Sequence, residues 1–306
     1  MNTQPSRCGL VALIGEPNAG KSTLMNRMVG AKVSIVTHKV QTTRTRIRGI
    51  ATEGNAQFVF IDTPGLFRPR RRLDRAMVTA AWGGALDADV VVLLIEAHRG
   101  ITDGVREILE RLADQMPQGR TVALAINKID RVKAEKLLAL SAEMNELRDF
   151  AATFMISAER GKGVDGLRRW LGEAVPEGPW LYPEDQIADV AQRQIAAEMT
   201  REKLTLRLHQ ELPYQLTVET ESWEERKDGS VRIDQIIYVA RDGHKGIALG
   251  PKGETIKAVG QAARADIKEF LGREVHLFLQ VKVRPGWLEE AERYSEMGLE
   301  FKDGDS

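Results

Sequence analysis

Residues 8–22 read CGLVALIGEPNAGKS. An unbroken apolar run, Cys8–Ile14, leads into Gly15, Glu16, Pro17, Asn18, Ala19, Gly20, Lys21 and Ser22, and Thr23 opens a helix-like stretch. Strand, G-x-x-x-x-G-K-[ST] loop and helix, in that order, form a cradle for phosphate. The glycines let backbone N–H groups converge on an anion, and the helix N-terminus adds positive potential. On this pattern Lys21 reaches the β- and γ-phosphates and the Ser22 hydroxyl coordinates Mg²⁺.

Further apolar runs follow: FVFI (58–61), VVVLLI (90–95), TVALAI (121–126) and TFMI (153–156). Runs this continuous suit strands buried on both faces of a parallel sheet. Helix-like segments at 22–28, 104–113, 133–149 and 164–172 separate many of them, which predicts an α/β fold with a mostly parallel sheet and helices on both faces. Residues 47–52 read as an added, antiparallel edge strand.

The strand ends decide the base. Asp62, Thr63, Pro64 and Gly65 match D-x-x-G after the second run. There Asp62 helps hold Mg²⁺ and the Gly65 amide senses the γ-phosphate. Asn127, Lys128, Ile129 and Asp130 follow TVALAI. A carboxylate at Asp130 accepts both the N1–H and the exocyclic amine of guanine, donors that adenine lacks on that edge. Ser157, Ala158 and Glu159 follow the next run, placing the Ala158 amide near guanine O6. Four motifs in order, each at the C-terminal end of a strand, lie where open α/β sheets bind ligands. GTP is the expected substrate and GDP the product.

Leu66 occupies the position where a glutamine orients the attacking water in Ras-like enzymes. A leucine cannot do so, so slow intrinsic hydrolysis is expected. The rival readings are a regulatory GTP-binding module with negligible hydrolysis and a P-loop kinase. The NKID run opposes the kinase.

Near 175–186 three prolines break the helical pattern. The expected layout is a nucleotide domain at 1–178, a linker at 179–186, and a second domain at 187–306 ending in a charged tail. The second part begins with a helix at 187–210. Two strands at 215–224 and 231–240, joined by a turn at 227–230, come next. A helix–loop–helix at 245–271 and a strand at 275–283 complete it. The loop is Gly250, Pro251, Lys252, Gly253, a GXXG, with Lys257 one turn beyond. Such a loop clamps the backbone of single-stranded nucleic acid in KH domains, and the α+β order is that of a type II KH module. Pro251 removes one backbone donor.

The chain has no net charge, yet residues from 181 onward carry −6 and the rest +6. Nucleic-acid binding in the second part therefore rests on the locally basic 241–284 window. No apolar stretch reaches the length of a membrane span. A lone cysteine, Cys8, offers no disulfide framework and fits a reducing cytoplasm.

The series GxxxxGKS, QTTR, DTPG, NKID and SAE resembles the translation-factor-like GTPases, and KVQTTRTR (39–46) and HLFLQVKVRPGW (276–287) resemble the Era family over nearly the whole chain. The resemblance implies a cytoplasmic, monomeric ribosome-assembly GTPase that binds 16S rRNA near its 3′ end and the 30S subunit, with peripheral association at the inner membrane. It also implies that Thr43, or its neighbour Thr42, meets Mg²⁺ and the γ-phosphate, and that Asn18 helps hold K⁺ in place of an arginine finger. The basic segment 68–75 belongs to switch II by the same likeness.

Overall fold

The computed structural model describes residues 5–37, 48–62, 65–66, 72–117, 119–209 and 212–287. They form two compact units, one of 5–34 and 48–189, the other of 35–37 and 190–287.

The first unit is a six-stranded sheet ordered β2-β3-β1-β4-β5-β6. Its strands are β1 (Arg7–Ile14), β2 (Arg48–Glu53), β3 (Ala56–Asp62), β4 (Val90–Glu96), β5 (Thr121–Asn127) and β6 (Ala152–Met155). All pair in parallel except β2, which runs antiparallel to β3 at the edge, as the sequence predicts. Every residue of β3 and β4 is buried, which accounts for the apolar runs FVFI and VVVLLI within them. Five helices flank the sheet: α1 (Lys21–Val29), α2 (Arg72–Asp87), α3 (Asp103–Gln115), α4 (Ala134–Leu147) and α5 (Val164–Ala174). The sequence reading assigns no helix to 72–87, because its Arg-rich start masks the apolar stripe. Val78, Ala81, Trp82 and Ala85 pack from α2 into the core. The strand order reverses around β1, so the loops after β1 and β4 diverge and open a crevice at the strands' C-terminal ends.

The expected linker is fastened to this unit. Gln57 on β3, fully buried, accepts from the Leu181 and Tyr182 amides (2.9 and 3.0 Å) and donates to the Tyr182 carbonyl (2.8 Å). The Ile50 amide donates to the Ile187 carbonyl (2.9 Å) and the Arg48 amide to Asp189 Oδ1 (3.0 Å). Residues 187–189 therefore extend along the free edge of β2, satisfying donors that an edge strand leaves open. The helix expected from 187 starts only at Gln192.

In the second unit α6 (Gln192–Arg207) precedes β7 (Leu216–Glu225) and β8 (Val231–Val239), then α7 (Asp242–Leu249), α8 (Glu254–Leu271) and β9 (Val275–Val283). β7 and β8 are antiparallel and β8 and β9 parallel. The β7–β8 turn is closed by Asp228 Oδ1, which accepts from the Ser230 amide and hydroxyl (3.0 and 2.6 Å). Leu204, Leu216, Ile237, Val259 and Val281 make up much of its core. The order α-β-β-α-α-β is that of the predicted type II KH module.

Candidate functional site: a phosphate loop, a base-reading loop and a GXXG turn

Gly15 and Gly20 adopt left-handed-side φ values of 148° and 100°. A Cβ on Gly15 would lie 2.3 Å from the Leu94 carbonyl oxygen, and one on Gly20 would lie 2.2 Å from Asn127 Nδ2. Both contacts are prohibitive, so the loop's path requires glycine on steric grounds as well as torsional ones. Asn18, exposed, is also left-handed (φ 67°), a conformation asparagine tolerates. Ala19 is buried, Glu16 and Pro17 are half-buried, and Thr23 sits half-buried in the first turn of α1.

Lys21 is buried beneath this loop, its Nζ donating to the Gly15 and Glu16 carbonyls (3.0 and 2.9 Å). Burial pushes its pKa down to about 8, against the pull of Asp62, Glu16 and Glu96, while Lys128 adds to the lowering. An arriving polyphosphate would supply the missing counter-charge. Ser22 Oγ donates to Asp62 Oδ2 (2.9 Å), and Ser34 Oγ donates to the same oxygen (2.5 Å). A hydroxyl and a buried carboxylate side by side beneath a phosphate loop are hard oxygen donors that suit Mg²⁺. Among the described residues no cluster of three His, Cys, Asp or Glu could hold a metal alone.

Gly65 packs on the loop: a Cβ there would lie 2.6 Å from Pro17 Cα, and the Leu66 amide donates to the Gly15 carbonyl (3.0 Å). The Leu66 side chain is buried in the apolar cluster with Val78 and Trp82. Thr42, Thr43, Thr63 and Pro64, with Arg68, Arg70 and Arg71, lie outside the described residues.

Asn127 does more than follow a strand. Its Nδ2 donates to the Ala19 carbonyl (2.8 Å), and its Oδ1 accepts from the Ala158 amide (3.0 Å). One side chain thus bolts the phosphate loop to the Ser157–Glu159 loop. The Ala158 amide, expected to face guanine O6, is engaged by Asn127 here. Asp130 lies at the mouth, its carboxyl held below the usual range by a hydrogen bond from buried Ser157, with Arg160 3.6 Å away adding to the effect. It is therefore an ionised acceptor, as guanine recognition needs. Lys128 is left-handed (φ 62°) and its Nζ lies 2.5 Å from Glu96 Oε2. Glu159 is exposed, and its carbonyl accepts from Arg27 of α1, which also bonds the Ala158 carbonyl.

In the second unit Gly250 (φ 72°), Lys252 (φ 49°) and Gly253 (φ 77°) all take positive φ. The Gly253 amide is spent on the Gly250 carbonyl (3.1 Å), and a Cβ on Gly250 would lie 2.1 Å from Thr255 Oγ1. Pro251, Lys252 and Lys257 are exposed, as is Ile247 just before the turn. Behind it, Arg241 Nε donates to Nε2 of buried His244 (2.8 Å). Burial, then the neighbouring Arg241, holds the His244 pKa down, which keeps the imidazole a neutral acceptor.

Residues 10–128 match the family model described as "50S ribosome-binding GTPase", and residues 211–288 match the KH domain model. The GTPase Era of Dinoroseobacter shibae is 75% identical over 100% of this chain and 99% of its own. That of Mesorhizobium japonicum is 64% identical over 98% and 96%. This chain belongs to the Era family of GTPases. Among solved structures, Era in complex with MgGDPNP and nucleotides 1506–1542 of 16S ribosomal RNA superposes with a TM-score of 0.89 at 35% identity, over 96% of this chain and 99% of that one. An Aquifex aeolicus Era variant bound to GDP·AlF4⁻ gives 0.88 at 35% identity, over 95% and 99%.

Several members of this Era-family site escape a motif search: Ser34 on Asp62, Arg27 on the Ala158–Glu159 carbonyls, and Glu96 on Lys128. Only Glu96 leaves a trace in the sequence, as a carboxylate closing a fully apolar strand.

Proposed function

We propose that this chain is a GTP-hydrolysing switch that binds single-stranded 16S rRNA near its 3′ end and acts in assembly of the 30S subunit. The observation that carries the nucleotide half is Asp130, kept ionised by Ser157 beside a phosphate loop that Asn127 locks in place. The RNA half is supported by the GXXG turn on a KH fold and by full-length similarity to an Era captured with MgGDPNP and that RNA segment.

Asp130 reads N1–H and the 2-amino group of guanine, while Asn127 and the 157–159 loop fix the floor beneath the base. Gly15–Ser22 gather the phosphates, and Lys21 neutralises charge on the β- and γ-oxygens. Ser22 and Asp62 would hold Mg²⁺, with Thr43 joining them; the ion supplies Lewis-acid neutralisation of phosphate charge. Gly65 is the sensor next to the loop, its approach to Pro17 leaving no room for a side chain. Leu66 cannot orient water and faces the core, so turnover is slow without help. Asn18, exposed in the phosphate loop, would help hold K⁺, which would supply the missing positive charge. Turnover in KCl then exceeds that in NaCl at equal ionic strength; equal rates would remove K⁺ from the account. Lys252 and Lys257 meet RNA phosphates beside the GXXG backbone.

The test is crosslinking to 30S subunits with RNA mapping in GTP-analogue and GDP states. Contacts near the 16S 3′ end that depend on the GTP analogue are expected. Scattered contacts, or contacts indifferent to nucleotide, would overturn the reading.

A further inference from the structure

Glu96 ends β4 at 7% exposure, after six apolar residues. Buried carboxylates are costly unless paired, and basic side chains meet both oxygens of this one. Lys128 Nζ and His98 Nε2 lie 2.5 and 3.6 Å from Oε2, and Arg99 Nη1 lies 3.5 Å from Oε1. The same Arg99 guanidinium is 3.7 Å from Glu16 Oε2, which accepts from Thr102 Oγ1 (2.8 Å). Thr102 in turn caps α3 by accepting from the Val105 amide (3.1 Å). The turn is tied to the base loop through its backbone as well, by the Ala97 amide on the Asn127 carbonyl (2.8 Å).

A polar chain thus runs Lys128–Glu96–Arg99–Glu16–Thr102, from the base-reading loop to the phosphate loop. Both ends matter for the nucleotide. Lys128 holds an unfavourable left-handed backbone one residue after Asn127 and two before Asp130, and Glu16 is the second residue of the phosphate loop. A glutamine at 96 would fill the same volume and keep an acceptor, but would offer the ammonium no charge.

We propose that Glu96 is a positioning residue for the guanine nucleotide: it anchors Lys128 and, through Arg99, Glu16, so that the base and phosphate loops hold one spacing. This rests on the GTP-site reading above. Glu96 bonds Lys128 and Arg99 and not the Asp130 carboxylate that reads the base, so it governs residence of the nucleotide, not which base is chosen.

Release of a fluorescent GDP from the full chain, followed by stopped flow, tests it in wild type, E96Q, K128M and the double variant. E96Q is expected to release GDP about tenfold faster, the size of losing one charge-assisted contact. If Glu96 acts through Lys128 and Arg99, the double variant releases faster than K128M by no more than about threefold, the share that Arg99 carries. E96Q should weaken GDP and IDP by the same factor, since Asp130 still reads the 2-amino group. Release from E96Q at the wild-type rate, or effects that multiply in the double variant, would overturn the proposal. R99Q, at a half-exposed position, covers the case of E96Q misfolding: release about threefold faster is expected from a weaker, more exposed link, and a wild-type rate contradicts the connection to Glu16. Failure of wild type to bind GDP would instead sink the site reading, leaving the two failures distinct.

Discussion

The molecule carries two glycine-framed loops at helix N-termini, and they are built differently. In the phosphate loop, Gly15 and Gly20 are hemmed in by Leu94 and Asn127, and Lys21 is buried under the backbone. In the GXXG turn, Pro251 and Lys252 face solvent, and only Gly250 has a close neighbour, Thr255. The first loop is over-determined by its surroundings; the second is set mainly by its own torsions. A compact polyphosphate rewards a rigid cradle that costs no reorganisation on binding. A nucleic-acid backbone that passes over a surface needs only glycine's close approach and a nearby charge.

The contrast breaks most visibly at Gly20. G20A combines backbone strain of about 1–3 kcal/mol with a clash on Asn127, and nucleotide affinity should fall by at least about a hundredfold. Titration with fluorescent GDP reads this out; a loss under about fivefold would mean that the loop is not locked by Asn127.

Within the second loop the two glycines should separate. G250A meets Thr255 and is expected to cost about tenfold in affinity for single-stranded RNA, whereas G253A, with no atom nearer than 4.0 Å, carries torsional strain alone and should cost about fivefold, from roughly 1 kcal/mol. Fluorescence anisotropy with a short 16S 3′ oligonucleotide compares them. Equal losses would show that torsion alone governs this turn.

The smallest effect is protonic. Lys21 sits at about pKa 8 in the ligand-free site, and bound phosphate favours its charged form, so GDP binding takes up protons near pH 8. The sign follows: affinity is full below pH 8 and falls as pH rises, by about fourfold between pH 7 and 8.5. For the same reason the ligand-free protein gains stability as pH rises from about 8 toward the unfolded lysine's pKa. Calorimetry in buffers of differing ionisation heat detects the uptake; none near pH 8 would place Lys21 in water.

Much of this was legible in the sequence because the motifs sit where strands end. Continuous apolar runs gave the parallel strands, and the residues after them gave Ser22, Asp62 and Asp130. Side chains whose partners lie far along the chain were not legible. Gln57 gathers Leu181 and Tyr182 from more than a hundred residues away, turning an expected linker into part of the first unit. Arg27 and Ser34 serve the site through contacts that no local pattern encodes. The NKID pattern marks Asn127 as part of the nucleotide site, but its structural duty to Ala19 and Ala158 emerges only from the fold.

The account turns on Asp130. Measured by equilibrium titration, GDP should bind wild type far more tightly than XDP, and D130N should reverse the order. An asparagine amide donates to the xanthine 2-oxygen but cannot accept both guanine donors, so the variant's GDP affinity falls by at least roughly a hundredfold. GDP affinity unchanged in D130N would contradict the assignment of this site to guanine.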